Sequence, residues 1–342
     1  MLKTRRWMAA VFGLWLGIQP TLFGLWAQGE VAFIARWDFL VGGSLRSLVV
    51  EDFNGDQILD VAVAGLDPTS VSLLRGLGDG TFPAARHVPV GDDCCNEITS
   101  GDFNGDRIPD LAVSHLVAHR VSVLIGWGNG TFQVGEPMTV GNGPLALVAG
   151  DLNGDSFVDL AVTNWGFPIA SNAVSLLWGA GDGTFQVASR LTVGLRPAGI
   201  LLADFNGDAL PDLAVANSAD GRVSILLGQG EGRFEAVGPL LVGVGPRGLA
   251  VGDFNDDKVL DLAVANNGSD TVSIGLGRGD GTFQAAPAMA VARGAVGGGG
   301  RRFRRGYGNG FSRGQRDGRC GVGPAGGRRR DVSDGPGDAG GL

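Results

Sequence analysis

The chain of 342 residues is 44% hydrophobic and 18% charged, which excludes wholesale disorder and is enough to bury a sizeable core. Its 61 glycines and 15 prolines favour short strands joined by tight turns, because both residues destabilise helix interiors. Residues 28–292 carry 13 basic and 31 acidic side chains, and this excess of negative charge repels nucleic acid and anionic membranes but suits divalent cations. We therefore predict an all-β protein.

Residues 1–27 are predicted to be a signal peptide. Three basic residues lie among the first six, an apolar run covers residues 7–18, and the small residue Ala27 precedes a polar Gln28. The apolar run is short for a membrane span, although an uncleaved anchor is the alternative. We expect a mature chain without a membrane span that is secreted, periplasmic or at the cell surface.

The sequence D-F-N-G-D-Q-I-L-D-V-A-V at residues 52–63 is the first of five similar copies. The copies begin at Asp52, Asp102, Asp151, Asp204 and Asp253, with spacings of 50, 49, 53 and 49 residues. Each period contains four short apolar runs separated by glycine, asparagine and aspartate, which is typical of antiparallel strands. The period favours a β-propeller with four-stranded blades over a β-solenoid, whose coils are usually shorter.

A second motif, G-x-G-D-G-T-F or a close variant, lies between consecutive copies of the first. Its glycines supply the positive φ angles of a tight turn, and its phenylalanine returns the chain to the apolar layer. The runs L-A-V and V-S-L-L are apolar at consecutive positions, so we expect these strands to be covered on both faces.

Residues 33–43 match the last strand of a repeat, since Phe33 precedes Phe82 by 49 residues. We predict that this segment is a stray outer strand that completes the final blade and so protects the exposed edges of the sheet. This closure requires a final blade that lacks its own last strand.

Oxygen ligands fall at positions one, three, five and nine of each polar loop. In the first loop these are Asp52, Asn54, Asp56 and Asp60, and position seven, Ile58, offers its backbone carbonyl. Hard oxygen ligands at alternating positions around a glycine suit Ca²⁺, which takes six to eight oxygens. An EF-hand is excluded, because glycine stands at position four and valine at position twelve.

These motifs together resemble the FG-GAP/VCBS repeat family, which includes the propeller of integrin α subunits, over residues 33 to about 292. The resemblance implies a calcium-binding β-propeller over residues 28–292 and extends the ligand positions to the other four loops. The implied ligands are Asp102, Asn104, Asp106, Ile108 and Asp110; Asp151, Asn153, Asp155, Phe157 and Asp159; Asp204, Asn206, Asp208, Leu210 and Asp212; and Asp253, Asn255, Asp257, Val259 and Asp261. The fifth loop departs from the pattern with Asp256 in place of the glycine.

An alternative without a cation is that the aspartates and asparagines cap turns through their own backbone. That alternative accounts for one carboxylate in a turn, but three at a fixed spacing in five copies favour a cation. We expect such a cation to be structural and to stabilise each hairpin.

Residues 293–342 have a different composition, with 11 arginines and 4 aspartates. Codon degeneracy allows residues 302–306 to read Asp-Phe-Asp-Gly-Asp when the frame is shifted by one nucleotide, close to where the period places the next loop. Our hypothesis is that this tail is a frameshifted sixth repeat. The alternative is a genuine Arg/Gly-rich tail that binds RNA or acidic polymers, and neither is expected to pack a core.

The sequence contains no catalytic constellation, so binding is the leading class of function. The resemblance implies adhesion to, or recognition of, an extracellular protein or glycan. The insertion at residues 165–173 is our candidate for the ligand-contacting loop, with Trp37, Trp127, Trp165 and Trp178 as candidates for stacking on sugars or for core packing. The alternative function is a non-catalytic propeller of an extracellular polysaccharide-active enzyme.

Overall fold

A computed structural model describes residues 38–66, 69–91, 95–287 and 289–290. The strands all belong to one compact unit that begins at Phe39. Within these ranges the structure contains no helix, and therefore none that is long and apolar enough to cross a membrane. The predicted signal peptide and the predicted tail of residues 293–342 lie outside the described residues.

The strands form five antiparallel sheets in chain order, one for each repeat, which we call blades 1 to 5. Blade 1 holds β1 (Leu45–Glu51), β2 (Asp60–Leu66), β3 (Thr69–Leu74) and β4 (Arg86–Pro89). Blade 2 holds β5 (Cys95–Gly101), β6 (Asp110–His115), β7 (Arg120–Gly126), β8 (Phe132–Val134) and β9 (Met138–Thr139). Blade 3 holds β10 (Pro144–Gly150), β11 (Asp159–Asn164), β12 (Ala173–Gly179) and β13 (Phe185–Thr192). Blade 4 holds β14 (Pro197–Ala203), β15 (Asp212–Asn217), β16 (Arg222–Gly228) and β17 (Phe234–Leu241), and blade 5 holds β18 (Pro246–Gly252), β19 (Asp261–Asn266), β20 (Thr271–Gly277), β21 (Phe283–Ala285) and β22 (Met289–Ala290).

The strand order in every blade follows the chain, so each blade is a four-stranded meander as the repeat predicts. In blades 2 and 5 the fourth strand is divided into two short segments that both pair with the third strand. The polar loop always joins the first strand to the second, and position nine of the loop is the first residue of the second strand. The prediction of four-stranded blades is therefore confirmed for all five repeats.

The second strand is buried along its whole length in blades 2, 3 and 4, which confirms that neighbouring blades cover both of its faces. The first strands of successive blades contact each other in series from β1 to β18. Buried valines, leucines and alanines of facing blades form the core clusters between them. Burial of this apolar surface is the main stabilising contribution to the fold.

An aromatic pair lies at the edge of the core in three of the four interfaces between the described blades. The residue at loop position two is nearly inaccessible in blades 1 to 4, where Phe53, Phe103, Leu152 and Phe205 are 1–3% exposed. Phe103 packs edge-to-face on Phe185 of the next blade with ring centroids 5.3 Å apart. Pairs of this kind add to the stabilisation that area burial alone provides. The phenylalanine that ends the turn motif therefore packs against the loop of the preceding blade.

The N-terminal segment packs against the face of blade 1 that points away from blade 2. Phe39 and Val41 join the cluster of Val63 and Leu74 there, and the ring of Phe39 lies edge-to-face on Phe82 at 5.1 Å. Val41 precedes Val90 by 49 residues, and Val90 belongs to the equivalent cluster between blades 1 and 2. Residues 39–41 thus lie where the outer strand of a preceding blade would lie, while residues 33–37 are outside the described part of the chain.

We expect Phe103→Ala to lower the free energy of unfolding by about 3–5 kcal/mol, because it leaves a cavity between blades 2 and 3. The matched change Phe254→Ala affects the same position in blade 5, where the side chain is 50% exposed. Its expected cost is below about 1.5 kcal/mol, because little apolar burial is lost. Urea unfolding of both variants measures the difference, and equal costs would contradict the role assigned to the next blade.

Candidate metal site in the repeated aspartate loops

The carboxylate at position nine is the most buried carboxylate of each loop. Asp110, Asp159, Asp212 and Asp261 have no exposed surface and Asp60 is 4% exposed. In blade 2 the backbone N–H of Phe103 donates to Asp110 Oδ2 at 2.8 Å, and the N–H of Gly126 donates to Asp110 Oδ1 at 2.7 Å. The same two bonds occur in all five blades. Position nine therefore ties the start of the loop to the end of the third strand.

The glycine that donates to position nine is required by a close approach of two backbones. A Cβ atom added to Gly126 would lie 2.5 Å from the carbonyl oxygen of Pro109, and one added to Gly179 would lie 2.2 Å from that of Val158. No side chain fits in that space. This glycine is the last residue of the third strand in blades 2 to 5, and in blade 1 it follows that strand by two residues. Its recurrence in the V-S-x-x-x-G pattern was the signal that the sequence analysis missed.

The carboxylate at position one organises the backbone of the loop. In the first loop Asp52 Oδ1 accepts the N–H of Gly55 at 2.7 Å and Asp52 Oδ2 accepts the N–H of Gln57 at 2.7 Å. The other four position-one aspartates accept bonds from the same part of their loops. The backbone N–H of Lys258 is the main cause that lowers the pKa of Asp253. These bonds are the turn caps of the alternative without a cation.

Positions three and five face each other in the loops. In the second loop the amide nitrogen of Asn104 donates to Asp106 Oδ2 at 2.9 Å, while Asn104 Oδ1 accepts the N–H of Asp106. The third to fifth loops repeat the contact between the two side chains. In the first loop Arg75 takes the place of the amide and forms an ion pair with Asp56 at 3.0 Å. Within the described part of the chain, Asp56 is the only loop carboxylate with a basic side chain within 4 Å.

The electrostatics of the loops are unfavourable at position nine. Burial raises the pKa of Asp110, and the charges of Asp106 and Asp102 raise it further, against the effect of its two N–H donors. Burial likewise raises the pKa of Asp159 and of Asp212. The fold therefore holds several carboxylates close together in each of these loops, although their negative charges repel one another.

The predicted ligands lie together in each loop, but their carboxylates do not converge on one point. Across the described ranges, no group of three His, Cys, Asp or Glu side chains is arranged to hold a metal ion. Each carboxylate is instead turned towards backbone N–H donors. The donor set is nevertheless made of the hard oxygens that Ca²⁺ prefers. Position seven adds a backbone carbonyl, and the side chain of Ile58 there lies beside Gly76 and Gly78.

The turn of the next blade completes the edge on which the loops lie. The N–H of Gly130 in blade 2 donates to the carbonyl of Phe53 in blade 1 at 3.0 Å, and Gly183 donates to Phe103 at 2.9 Å. Each turn aspartate bonds within its own turn. In blade 1 the hydroxyl of Thr81 donates to Asp79 Oδ1, and this bond lowers the pKa of Asp79. Loops and turns of neighbouring blades thus alternate along one edge of the sheets.

The tryptophans proposed for sugar stacking have different environments. Trp127 is 58% exposed in the turn of blade 2, whereas Trp178 packs in the cluster between blades 3 and 4. The guanidinium of Arg196 lies 4.6 Å from the centroid of the Trp165 ring, at the base of the insertion. The insertion also presents Ile169, which is 75% exposed. Trp37 lies outside the described residues.

The fold is that of a β-propeller repeat protein, and comparisons agree with it. The sequence profile of the FG-GAP-like repeat matches residues 52–113, 102–162 and 204–264, about half of the chain. The chain therefore belongs to the FG-GAP-like repeat family. A sequence search among curated proteins found no match.

Several solved structures are similar to this chain in fold. A protein from Lactobacillus plantarum aligns with a TM-score of 0.55 at 14% identity, over 74% of this chain and 72% of its own. A putative 6-phosphogluconolactonase from Bacteroides uniformis aligns with a TM-score of 0.54 at 15% identity, over 71% and 70%. The periplasmic gluconolactonase of Pseudomonas aeruginosa aligns with a TM-score of 0.52 at 19% identity, over 68% and 67%. At these identities the likeness concerns the fold alone.

The loops contain two residues with left-handed backbone, at positions four and six. The glycine at position four is Gly55, Gly105, Gly154 and Gly207 in the first four loops, with φ between 76° and 85°. Asp256 adopts the same conformation in the fifth loop with φ of 64°. Asp256 thus leaves the curl of the loop intact, but it places a residue with a Cβ atom in a left-handed backbone conformation that is disfavoured for such residues.

We expect Asp256→Gly to raise the free energy of unfolding by about 1 kcal/mol, because glycine adopts a positive φ without the steric cost of a Cβ atom. Thermal unfolding in excess EDTA measures this effect without a contribution from bound ions. The reverse change at the matched position of blade 4, Gly207→Asp, should lower stability by a similar amount. An Asp256→Gly variant that melts at or below the temperature of the parent contradicts the assigned strain.

Proposed function

We propose that the protein is an extracellular, calcium-binding β-propeller that recognises a protein or glycan ligand by binding rather than by catalysis. The observation that carries the proposal is the fivefold repetition of an oxygen-rich loop in which three aspartates lie within nine residues. A turn cap needs one carboxylate, whereas a Ca²⁺ site needs several oxygen donors. The location outside the cytoplasm rests on the predicted signal peptide.

The charge of the loops supports a bound cation. Four of the five loops have no basic side chain within 4 Å of a carboxylate in the described part of the chain. In blade 2 the charges of Asp106 and Asp102 both act against ionisation of Asp110. A divalent cation, when bound, supplies the positive charge that offsets this repulsion.

The residues that would hold the cation are the side chains at positions one, three, five and nine and the carbonyl at position seven. Position nine is already fixed by its two backbone donors, and position one is fixed by the turn. In blade 2 the amide nitrogen of Asn104 donates to Asp106 Oδ2, and reorientation of these two side chains would free oxygen atoms for a cation. The chain thus orients most of the donor set through its own hydrogen bonds.

We expect Ca²⁺ to raise the melting temperature of the protein relative to excess EDTA, with dissociation constants of about 10⁻⁴–10⁻³ M, the range of extracellular modules. The change Asp106→Asn removes one charged oxygen donor, so calorimetric titration should find one ion fewer per chain. The same should hold for Asp155→Asn in blade 3.

The matched control is Asp79→Asn, which neutralises an exposed carboxylate in a turn on the same edge and should leave the number of bound ions unchanged. The turn-capping alternative makes the opposite forecast. Under that alternative the parent melts at the same temperature in Ca²⁺ and in EDTA, and titration with Ca²⁺ gives no saturable heat.

The insertion between β11 and β12 is the candidate contact for the ligand. It is held in place by backbone hydrogen bonds from Val193 to Asn172 and from Arg196 to Ser171, both at 2.8 Å. The amide of Asn142 also donates to the carbonyl of Ile169 at 3.0 Å. A loop that is anchored at several points and still exposes an apolar side chain suits recognition, because little ordering is needed on binding.

An array of purified extracellular polysaccharides tests recognition against catalysis. We expect the parent protein to be retained on a subset of glycans without release of reducing sugars, and Ile169→Asp to weaken that retention at least tenfold. The control Leu241→Asp changes a similarly exposed aliphatic residue on β17 and should not affect retention. Release of sugars would identify an enzyme, and equal retention of Ile169→Asp would remove the insertion from the contact.

A further inference from the structure

The outward face of blade 5 exposes residues that are buried at the same positions in every other blade. Phe254 is 50% exposed, whereas its counterparts are 1–3% exposed. Ala265 is exposed, although its counterpart Ala216 in blade 4 is fully buried. Val272 and Ile274 are half-buried, while Val223 and Ile225 are fully buried. The face is therefore apolar and is built like four others that carry a neighbour.

The four interfaces inside the structure show what such a face accepts. In each, the position-two residue and the second and third strands of one blade meet the first two strands of the next. Between blades 4 and 5, for example, Phe205 and Ile225 pack with Leu262 and Val264, and Phe205 meets Phe283 edge-to-face at 5.5 Å. The fifth face presents the same pattern of residues, so its complement is a surface of the same kind.

A second copy of the chain is a poor occupant of this face. The complementary surface of a second copy belongs to its blade 1, where Leu48 is 58% and Leu45 48% exposed. Phe39 and Val41 already fill the part of that surface on which the outer strand of a preceding blade would lie. Docking of blade 5 would bring its own outer strand, β21 and β22, into the same space.

We propose that the outward face of blade 5 is a docking surface for one further repeat unit of the same kind. The occupant is a four-stranded unit with apolar strands of the D-L-A-V and V-S-L-L type, whose first two strands would cover Phe254 and Ile274. This proposal is independent of calcium and of any ligand, because it rests on packing alone. It extends a series of blades in which each interface depends only on nearest neighbours.

The period of the chain gives the place of such a unit. Pro246 follows Pro197 by 49 residues, so the next first strand would begin near residue 295. The amino acids there do not carry the repeat pattern, although the shifted reading of residues 302–306 does. A unit of known sequence can therefore be placed at this position as a probe.

The probe is a copy of residues 197–245, the complete fourth repeat, joined after Gly294 of the chain. We expect the extended protein to melt higher than the parent chain of 342 residues, by on the order of 5 °C. Hydrogen exchange of β19 and β20 should slow by at least tenfold, because their outward face becomes covered.

The variant Phe254→Asp shows whether docking uses the proposed face. In the parent chain it should change the melting temperature little, because the side chain is half exposed, and in the extended protein it should abolish most of the gain. Leu241→Asp, on the outer strand of blade 4, should leave the gain intact in the extended protein.

Three results would overturn the proposal. The first is an extended protein whose melting and exchange match those of the parent. The second is a gain in stability that Phe254→Asp does not reduce. The third is a parent chain that sediments as a dimer and becomes monomeric with Phe254→Asp, which would assign the face to a second copy.

Discussion

The structure depends on one repeated interaction, in which a buried carboxylate accepts two backbone N–H groups. Asp159 shows it clearly, because its oxygens accept from Leu152 at 2.9 Å and from Gly179 at 2.9 Å. Without this acceptor, two buried donors in each of blades 1 to 4 would be left unsatisfied, which is more costly than the loss of an exposed hydrogen bond. The bond pair also sets where the loop starts and where the third strand ends.

Local hydrogen bonds fix the rest of the loop, and its other carboxylates are more exposed than the one at position nine. Asp102 and Asp106 are held by backbone donors, yet each adds to the electrostatic cost of ionising Asp110. The fold thus tolerates a concentration of negative charge that hydrogen bonds offset only in part. A divalent cation is the simplest species that would offset the rest, and for this reason the proposed function centres on the loops.

Packing between blades is the second determinant of the fold, and it is strictly local. Phe53 is buried because Phe132 of the next blade covers it, with ring centroids 5.7 Å apart, and not because of its own sequence context. The same residue type in nearly the same motif is half exposed at Phe254. Stability in such a series is a sum of units and nearest-neighbour interfaces, so blade 5, whose outward face is exposed within the described residues, is expected to be less stable than blades 2 to 4.

The sequence by itself determined the repeat, the four strands of each blade, the glycine turns and the family, because periodicity, turn chemistry and strand propensity are local properties. It did not show that position nine is bonded to Gly76 and its equivalents, since that contact joins residues 16–20 apart through the pairing of strands. Nor did it indicate a left-handed backbone at position six, where residues as different as Gln57, Arg107 and Ala209 stand. Only the tertiary structure decided these features and the exposure of Phe254, because burial and backbone strain depend on which neighbours the folded chain brings into contact.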